Sequence, residues 1–190
     1  MKDKKGFIIL IAGFLILLVG AYALYTQLSD KIAPPEQLTT QPTQPTQQTQ
    51  QAQKAPDFTV YDLEGNPVQL SSFFGKPIVL NFWASWCGPC QSEMPDFQDK
   101  YLELGDSIQF LMVNMTDGQR ETQTVAEAFI AKKGYTFPVL YDTQAQAAMT
   151  YGVYSLPTTY FIDAQGNVAA QATGAIDAAT LQRGIDMIAN

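Results

Sequence analysis

Apolar runs separated by turn residues divide residues 55–190 into short predicted strands and helices. Residues 57–61 alternate polar and apolar positions before a turn signal at 64–66, which predicts a β-hairpin. Residues 78–82 are apolar except for Asn81, as expected of a central strand that is covered on both faces. Further strands are predicted at 108–113, 139–141, 159–162 and 168–171.

Helical spacing alternates with these strands. Apolar residues recur every three or four positions from 90 to 104, which predicts a helix that ends at Gly105. Ser71 or Ser72 is expected to cap a short helical turn. The remaining predicted helices cover 125–130, 145–151 and 177–189. Strands that alternate with helices and end in a hairpin and a helix predict an α/β domain of three layers with a mixed sheet.

The first 28 residues have the pattern of a membrane anchor. Three lysines among the first five residues precede an uncharged, mainly apolar stretch at 6–28, and ~20 apolar residues cross the ~30 Å hydrocarbon core of a bilayer. The lysines predict a cytoplasmic N-terminus. A cleaved signal peptide is the alternative, because residues 21–23 (Ala-Tyr-Ala) fit a cleavage site. Both interpretations place the remainder of the chain outside the cytoplasm.

Residues 29–54 are predicted to be a disordered linker. Between 39 and 53 only Thr, Gln, Pro and Ala occur. Such a segment cannot bury enough apolar surface to offset the entropy lost on ordering. We expect it to hold the domain at 55–190 away from the membrane.

Charge and composition exclude several function classes. The net charge is −7, and residues 55–190 carry 15 acidic against 6 basic side chains, which disfavours nucleic acid as a partner. The chain has no histidine, so a Cys–His or Ser–His nucleophile pair and an imidazole-ligated metal are excluded. Two cysteines cannot form a four-thiolate zinc site within one chain. We predict neither a metal nor a cofactor.

The two cysteines, Cys87 and Cys90, stand three positions apart where a predicted strand gives way to a helix. A helix N-terminus presents free N–H groups and partial positive charge, which stabilise a thiolate. Cys87 is therefore predicted to attack a partner's disulfide, and Cys90 to resolve the mixed disulfide. Pro89 suits the first turn of a helix, and Gly88 allows another backbone to approach.

Two other uses of this cysteine spacing are a zinc site and a structural disulfide. Half of a zinc site would need a second chain to supply the other ligands. A purely structural disulfide that closes so short a loop would contribute only ~2 kcal/mol. Both are disfavoured relative to a redox role.

Four stretches carry a resemblance to a known family: the run 82–90 (Phe-Trp-Ala-Ser-Trp-Cys-Gly-Pro-Cys) followed by Pro95, the opening 55–58 (Ala-Pro-Asp-Phe), the turn 75–77 (Gly-Lys-Pro), and 152–159 (Gly-Val-Tyr-Ser-Leu-Pro-Thr-Thr). The first resembles the active site of thioredoxins. Together they resemble the TlpA/ResA/CcmG type of extracytoplasmic thiol–disulfide oxidoreductases. The resemblance covers 55–190 and implies a thioredoxin-like fold with an N-terminal β-hairpin extension, behind a single transmembrane helix.

The resemblance also implies a substrate-binding surface. Pro157 matches a proline that is cis in this family and lies against the cysteine pair, although a bare structural turn is the alternative. The cis bond would turn the backbone of Leu156 outward to pair with a substrate peptide. Trp86, Gly88 and Pro89 are the other expected members of this surface.

Proton handling is where the sequence departs from many thioredoxins. Those proteins bury an aspartate on the strand before the motif, and this chain has Asn81 there. Asn cannot act as a base. Glu93 matches an acidic residue thought to tune thiol protonation in ResA-like proteins, although a solvated helix residue is the alternative. We therefore expect Glu93, water or the substrate to handle the proton.

The function implied by the resemblance is reduction of protein disulfides, with apocytochrome c as substrate and a membrane thiol carrier of the CcdA/DsbD kind as electron donor. A general extracellular oxidase or isomerase is the main alternative. A peroxidase is disfavoured, because peroxiredoxins want Pro and Thr where this chain has Leu80 and Ala84. A non-catalytic adaptor is disfavoured by the intact cysteine pair.

Overall fold

The computed structural model describes residues 17–18, 38–39 and 53–189. Leu17 and Leu18 are helical and exposed, within the unit Met1–Glu36, and the other described residues belong to the unit Gln37–Asn190. The predicted anchor at 6–28 otherwise lies outside the described residues. In the ranges that are described, no helix is both long enough and apolar enough to cross a bilayer.

Eight strands of the described chain form one mixed sheet, in the order β1-β8-β7-β4-β5-β6-β2-β3. The strands are β1 (Leu38–Thr39), β2 (Thr59–Tyr61), β3 (Pro67–Gln69), β4 (Ile78–Trp83), β5 (Gln109–Asn114), β6 (Val139–Tyr141), β7 (Thr158–Ile162) and β8 (Val168–Thr173). The pairs β4–β5 and β5–β6 are parallel, and every other pair is antiparallel. The predicted mixed α/β sheet is confirmed.

The helices cover both faces of the sheet. They are a 3₁₀ turn (Leu70–Phe73), α1 (Gly88–Leu104), α2 (Gln123–Lys133), α3 (Gln146–Thr150) and α4 (Ala178–Ile188). One core cluster joins α1, α2 and α4 to one face, and a second joins α3 and the 3₁₀ turn to the other. Neighbouring residues of β4 alternate between the clusters, with Val79 in the first and Leu80 in the second. This gives the three predicted layers.

Strand β4 is the centre of the sheet, between β5 and β7, and all six of its residues are buried. Burial on both faces explains why its sequence is nearly continuous in apolar residues. The exception, Asn81, is fully buried. A buried amide needs hydrogen-bond partners, and those partners turn out to belong to the functional site.

The predicted cap of the 3₁₀ turn is wrong. The turn begins after Gln69, which makes no side-chain capping bond, and Ser71 and Ser72 lie inside it. Asp57 instead accepts from the Ser71 backbone N–H at 3.0 Å and from its hydroxyl at 2.6 Å. The acceptor at the start of this turn is therefore a carboxylate 14 residues upstream, and not the serine side chain that the local sequence predicts.

Part of the predicted linker is ordered. Leu38 and Thr39 pair antiparallel with Ala172 and Gln171 of β8. The edge of a sheet offers unpaired N–H and C=O groups to any extended backbone, so a polar segment can add a short strand there. The other residues of 29–52 lie outside the described ranges, and their disorder stays a prediction.

Candidate functional site

The two cysteines lie at the start of α1, four residues after β4 ends. Cys87 is the N-cap residue of α1, and its Sγ accepts a hydrogen bond from the Cys90 backbone N–H at 3.2 Å. The two form a disulfide, with a Cα–Cα distance of 5.3 Å. An N-cap sulfur that accepts from a helix N–H is placed where a thiolate is stabilised.

The cysteines differ in their access to solvent. Cys87 is 5% exposed and Cys90 is fully buried. Pro89 occupies the first turn of α1, where its missing N–H costs nothing. A Cβ added at Gly88 would meet no heavy atom within 4 Å, so the surface beside Cys87 is open. A second protein can therefore reach Cys87 but not Cys90.

A surface groove of about 620 Å³ opens beside Cys87. Its lining residues come from three segments. The first is the loop and first turn of α1 (Trp86, Cys87, Gly88 and Pro89), and the other two are the loop after β5 (Met115, Asp117 and Arg120) and the loop before β7 (Val153, Tyr154, Ser155 and Leu156). The structure thus brings five of the predicted site residues together around one groove. The others, Cys90, Glu93 and Pro157, are buried outside its lining.

The third loop ends in a cis peptide bond between Leu156 and Pro157, the isomer that the resemblance implies. Leu156 is half-buried and lines the groove, whereas Pro157 is buried behind the surface. Tyr154, two residues earlier in the same loop, is 98% exposed. Trp86, across the same groove, is 42% exposed, so the groove carries two exposed aromatic side chains of the types enriched at protein interfaces.

Glu93 is buried beneath the motif, with only 2% exposure. Its Oε1 accepts from Asn81 Nδ2 at 2.8 Å, and its Oε2 accepts from the Ile176 N–H at 2.9 Å. Burial raises the pKa of Glu93 to about 7, despite the lowering by these two hydrogen bonds. The alternative of a solvated helix residue is therefore wrong. Glu93 lies one helical turn beyond Cys90, on the same side of α1.

Asn81 links Glu93 to the sheet. Its Nδ2 also donates to Thr159 Oγ1 at 3.0 Å, while its Oδ1 is buried without a hydrogen-bond partner among the described residues. The amide that replaces the thioredoxin aspartate is thus a donor to Glu93. The titratable group of this site is therefore Glu93 on α1, whereas in many thioredoxins it is an aspartate on the strand that corresponds to β4.

A second buried carboxylate, Glu121, was not predicted from the sequence. It is fully buried and accepts from the Ser85 N–H at 2.8 Å, from Ser85 Oγ at 2.6 Å and from Asn114 Nδ2 at 2.7 Å. Three donors satisfy a charge that would otherwise be costly to bury. Glu121 therefore fastens the loop after β5 to the loop that carries Cys87.

Arg120 was also missed. Its Cζ lies 3.9 Å from the centroid of the Trp86 ring, a cation–π contact that contributes about 0.5–1 kcal/mol at an exposed site. One signal could have indicated this loop. It follows β5, which is parallel to β4, and the carboxyl ends of parallel strands meet at one edge of the sheet.

No metal site accompanies the groove within the described residues, where no group of three or more acidic or cysteine side chains is placed to hold an ion. The chemistry that the arrangement supports rests on the cysteine pair at the start of α1, with Glu93 one turn further along the helix, where burial raises its pKa to about 7.

Comparison with known proteins agrees with this site. The model of the AhpC/TSA family matches residues 52–171, a range that contains both cysteines and the whole groove. The chain is 32% identical over 191 residues to the thiol-disulfide oxidoreductase ResA of Geobacillus kaustophilus, with 99% of each chain covered. It is 37% identical over 135 residues to ResA of Geobacillus thermodenitrificans, covering 70% of this chain and 75% of the relative.

Solved structures show the same fold. A thiol:disulfide interchange protein DsbE from Chlorobium tepidum is 33% identical, with a TM-score of 0.63 over 70% of this chain and 94% of the other. StoA from Bacillus subtilis is 28% identical, with a TM-score of 0.59 over 68% of this chain and 96% of the other. The domain therefore has the thioredoxin-like fold that the family resemblance implies.

Proposed function

Since this chain belongs to the AhpC/TSA family and is a thiol–disulfide oxidoreductase similar to ResA, we propose that it reduces disulfides of proteins outside the cytoplasm. The proposed substrate is apocytochrome c, whose cysteines must be thiols before haem is attached. The observation that carries the proposal is the unequal pair at the start of α1, where Cys87 lines the groove and Cys90 is buried behind it.

The exchange proceeds in two balanced steps. The Cys87 thiolate attacks one sulfur of the substrate disulfide, the substrate S–S bond breaks, and the released substrate thiolate takes up a proton. Cys90, as thiolate, then attacks the Sγ of Cys87 in the mixed disulfide. This forms the Cys87–Cys90 disulfide, breaks the mixed disulfide and releases the second substrate sulfur as a thiolate, which takes up a proton. Two electrons pass from the protein dithiol to the substrate.

Glu93 is the proposed proton acceptor for Cys90. A base is most effective when its pKa lies near the working pH, and the pKa of Glu93 is raised to about 7 by burial. Cys90 is fully buried and must lose its proton before it can attack. Asn81 cannot accept that proton, and its hydrogen bond holds the Glu93 carboxyl in place.

Membrane location and electron supply complete the proposal. The apolar stretch at 6–28 with its preceding lysines supports a single-pass anchor with a cytoplasmic N-terminus. Cytosolic reductants would not reach a domain held outside the membrane. A membrane thiol carrier of the CcdA/DsbD kind would then reduce the Cys87–Cys90 disulfide after each turnover.

The direction of electron flow is tested by the reduction potential. We expect the full chain, equilibrated with glutathione or dithiothreitol buffers, to titrate near the value of thioredoxin, about −270 mV. A potential near that of DsbA, about −120 mV, would overturn the reductase proposal and favour the oxidase.

The substrate is tested by trapping. A Cys90→Ser variant expressed in cells keeps the nucleophile and cannot resolve the mixed disulfide, so the substrate should accumulate on Cys87. Cys87→Ser is the matched control and should capture nothing. Apocytochrome c among the trapped proteins supports the proposal, and a trapped set without it would refute this choice of substrate.

A further inference from the structure

Arg120 is the cation of the groove beside Cys87. Asp117 is the only other charged residue in the lining. Among the described residues, nothing accepts a hydrogen bond from the Arg120 guanidinium or forms an ion pair with it. A guanidinium has five N–H donors in a fixed fork that fits a carboxylate, and here those donors are available to a ligand.

The carboxylate of Asp117 is already engaged. Its Oδ1 accepts from the N–H groups of Gln119 and Glu121, both at 2.8 Å. These hydrogen bonds lower the pKa of Asp117, and the charge of Arg120 adds a smaller effect. Asp117 therefore shapes the loop, and Arg120 is the charged group that is left to meet a substrate.

The position of Arg120 is set in advance. Its neighbour Glu121 is fixed to Ser85 by two hydrogen bonds, and Ser85 directly precedes Trp86, on which Arg120 stacks. Gly118, with φ of +74°, makes the tight turn and donates to the Glu121 carbonyl at 3.0 Å. Arg120 and Trp86 thus each neighbour a residue of the Glu121–Ser85 hydrogen-bonded pair. Little conformational entropy is therefore lost when a ligand binds to Arg120.

The surrounding charge makes this cation distinctive. Residues 55–190 carry 15 acidic against 6 basic side chains, so the domain repels acidic ligands at long range. A single cation next to the nucleophile would then act on the substrate only at contact distance. The sequence contains two arginines, and the other, Arg183, lies on α4 and donates to Thr180 Oγ1 at 2.9 Å.

We propose that Arg120 is a specificity residue that selects disulfides with an aspartate or glutamate next to the cysteine that Cys87 attacks. The substrate carboxylate accepts from the guanidinium fork while the substrate sulfur meets Cys87. The proposal rests on the proposed function, because it assumes that a peptide disulfide enters the groove.

The test compares matched peptides in single-turnover reduction. The reduced full chain, in mild detergent, is mixed with peptides that are identical except for Asp, Asn or Lys after the reacting cysteine. Tryptophan fluorescence follows the time course of each reaction, and the second-order rate constant is obtained from it. Ionic strength is held at 0.15 M, where the Debye length is about 8 Å and long-range repulsion is screened. The same thiol attacks every peptide, so the ratio of rates reports recognition and cancels changes in thiol reactivity.

We expect the wild type to reduce the Asp peptide about tenfold faster than the Lys peptide, the range of one charge-assisted hydrogen bond. Arg120→Gln should bring the ratio to within about twofold of unity, and Arg120→Glu should invert it. Arg183→Gln should keep the wild-type ratio. Equal wild-type rates for all peptides, or an unchanged ratio in Arg120→Gln, would overturn the role of Arg120 alone. Failure to reduce any peptide would instead overturn the proposed function.

Discussion

Replacing Glu93 by Gln removes the one buried carboxyl of α1 while keeping its size. In the folded protein the pKa of Glu93 is raised to about 7, from an ordinary value of 4.5, chiefly because the group is buried. Between these two pH values the folded state holds a proton that the unfolded state has lost. Folding stability must then fall as pH rises through this window, because the buried carboxyl becomes charged.

The size of the effect follows from the shift. A difference of one pKa unit corresponds to about 1.4 kcal/mol, so the full loss for the wild type is about 3 kcal/mol between pH 4.5 and pH 7. Gln does not titrate. The difference in unfolding free energy between wild type and Glu93→Gln should therefore shift by about 3 kcal/mol across the window, in favour of the variant at high pH.

The assay is urea unfolding of the oxidised full chain at pH values from about 4 to 8, followed by circular dichroism. The disulfide prevents the cysteines from titrating, and all other groups are common to the two proteins. Glu103→Gln is the control, because it removes an exposed carboxylate from the same helix. The unfolding free energy of that variant should change with pH as steeply as that of the wild type.

The reasoning fails if the difference between wild type and Glu93→Gln stays constant over this pH range. Such a result would mean that Glu93 loses its proton at the same pH in the folded and unfolded states, near its ordinary pKa of 4.5. The proposed role as proton acceptor for Cys90 near neutral pH would lose its basis.

Two further predictions concern packing and buried polar contacts. Gly184→Ala would place a methyl group against the ring of Phe161 and should lower the unfolding free energy by about 1–3 kcal/mol. Gly88→Ala is the control, because its methyl group meets open space and the unfolding free energy should not fall. Urea unfolding measures both variants, and equal stabilities would contradict the packing of Gly184 against Phe161. Glu121→Ala should lower the unfolding free energy by about 3 kcal/mol or more, because it leaves three donors without an acceptor: the Ser85 N–H, Ser85 Oγ and Asn114 Nδ2. Glu121→Gln should lower the unfolding free energy less, because its amide oxygen can still accept a hydrogen bond. If thermal unfolding shows Glu121→Gln to be less stable than Glu121→Ala, the three donors do not stabilise the protein through Glu121.

Much of the fold could be predicted because its signals are local. Strand β4 lies between two other strands and is covered on both faces, so nearly all of its residues are apolar. The apolar spacing of α1 and its end at Gly105 are likewise written within one segment. The cap of the 3₁₀ turn could not be found this way, since its carboxylate comes from Asp57, 14 residues upstream.

The reaction class was determined by the sequence itself. Two cysteines three residues apart at the start of a helix place one sulfur at the helix N-terminus and the other a turn further in, and this geometry needs only local structure. The absence of histidine was equally decisive, because composition removes a class of chemistry whatever the fold.

Only the tertiary structure decided what surrounds that pair. Arg120 follows β5 and Leu156 precedes β7, and both line one groove with Trp86 because β5 runs parallel and β7 antiparallel to β4. The end of one strand and the start of another therefore arrive at the same edge of the sheet. Burial of Glu93 has a similar origin, since the Ile176 loop is brought over it from 83 residues away. Strand pairing and burial are properties of the packed chain, and local spacing cannot specify them.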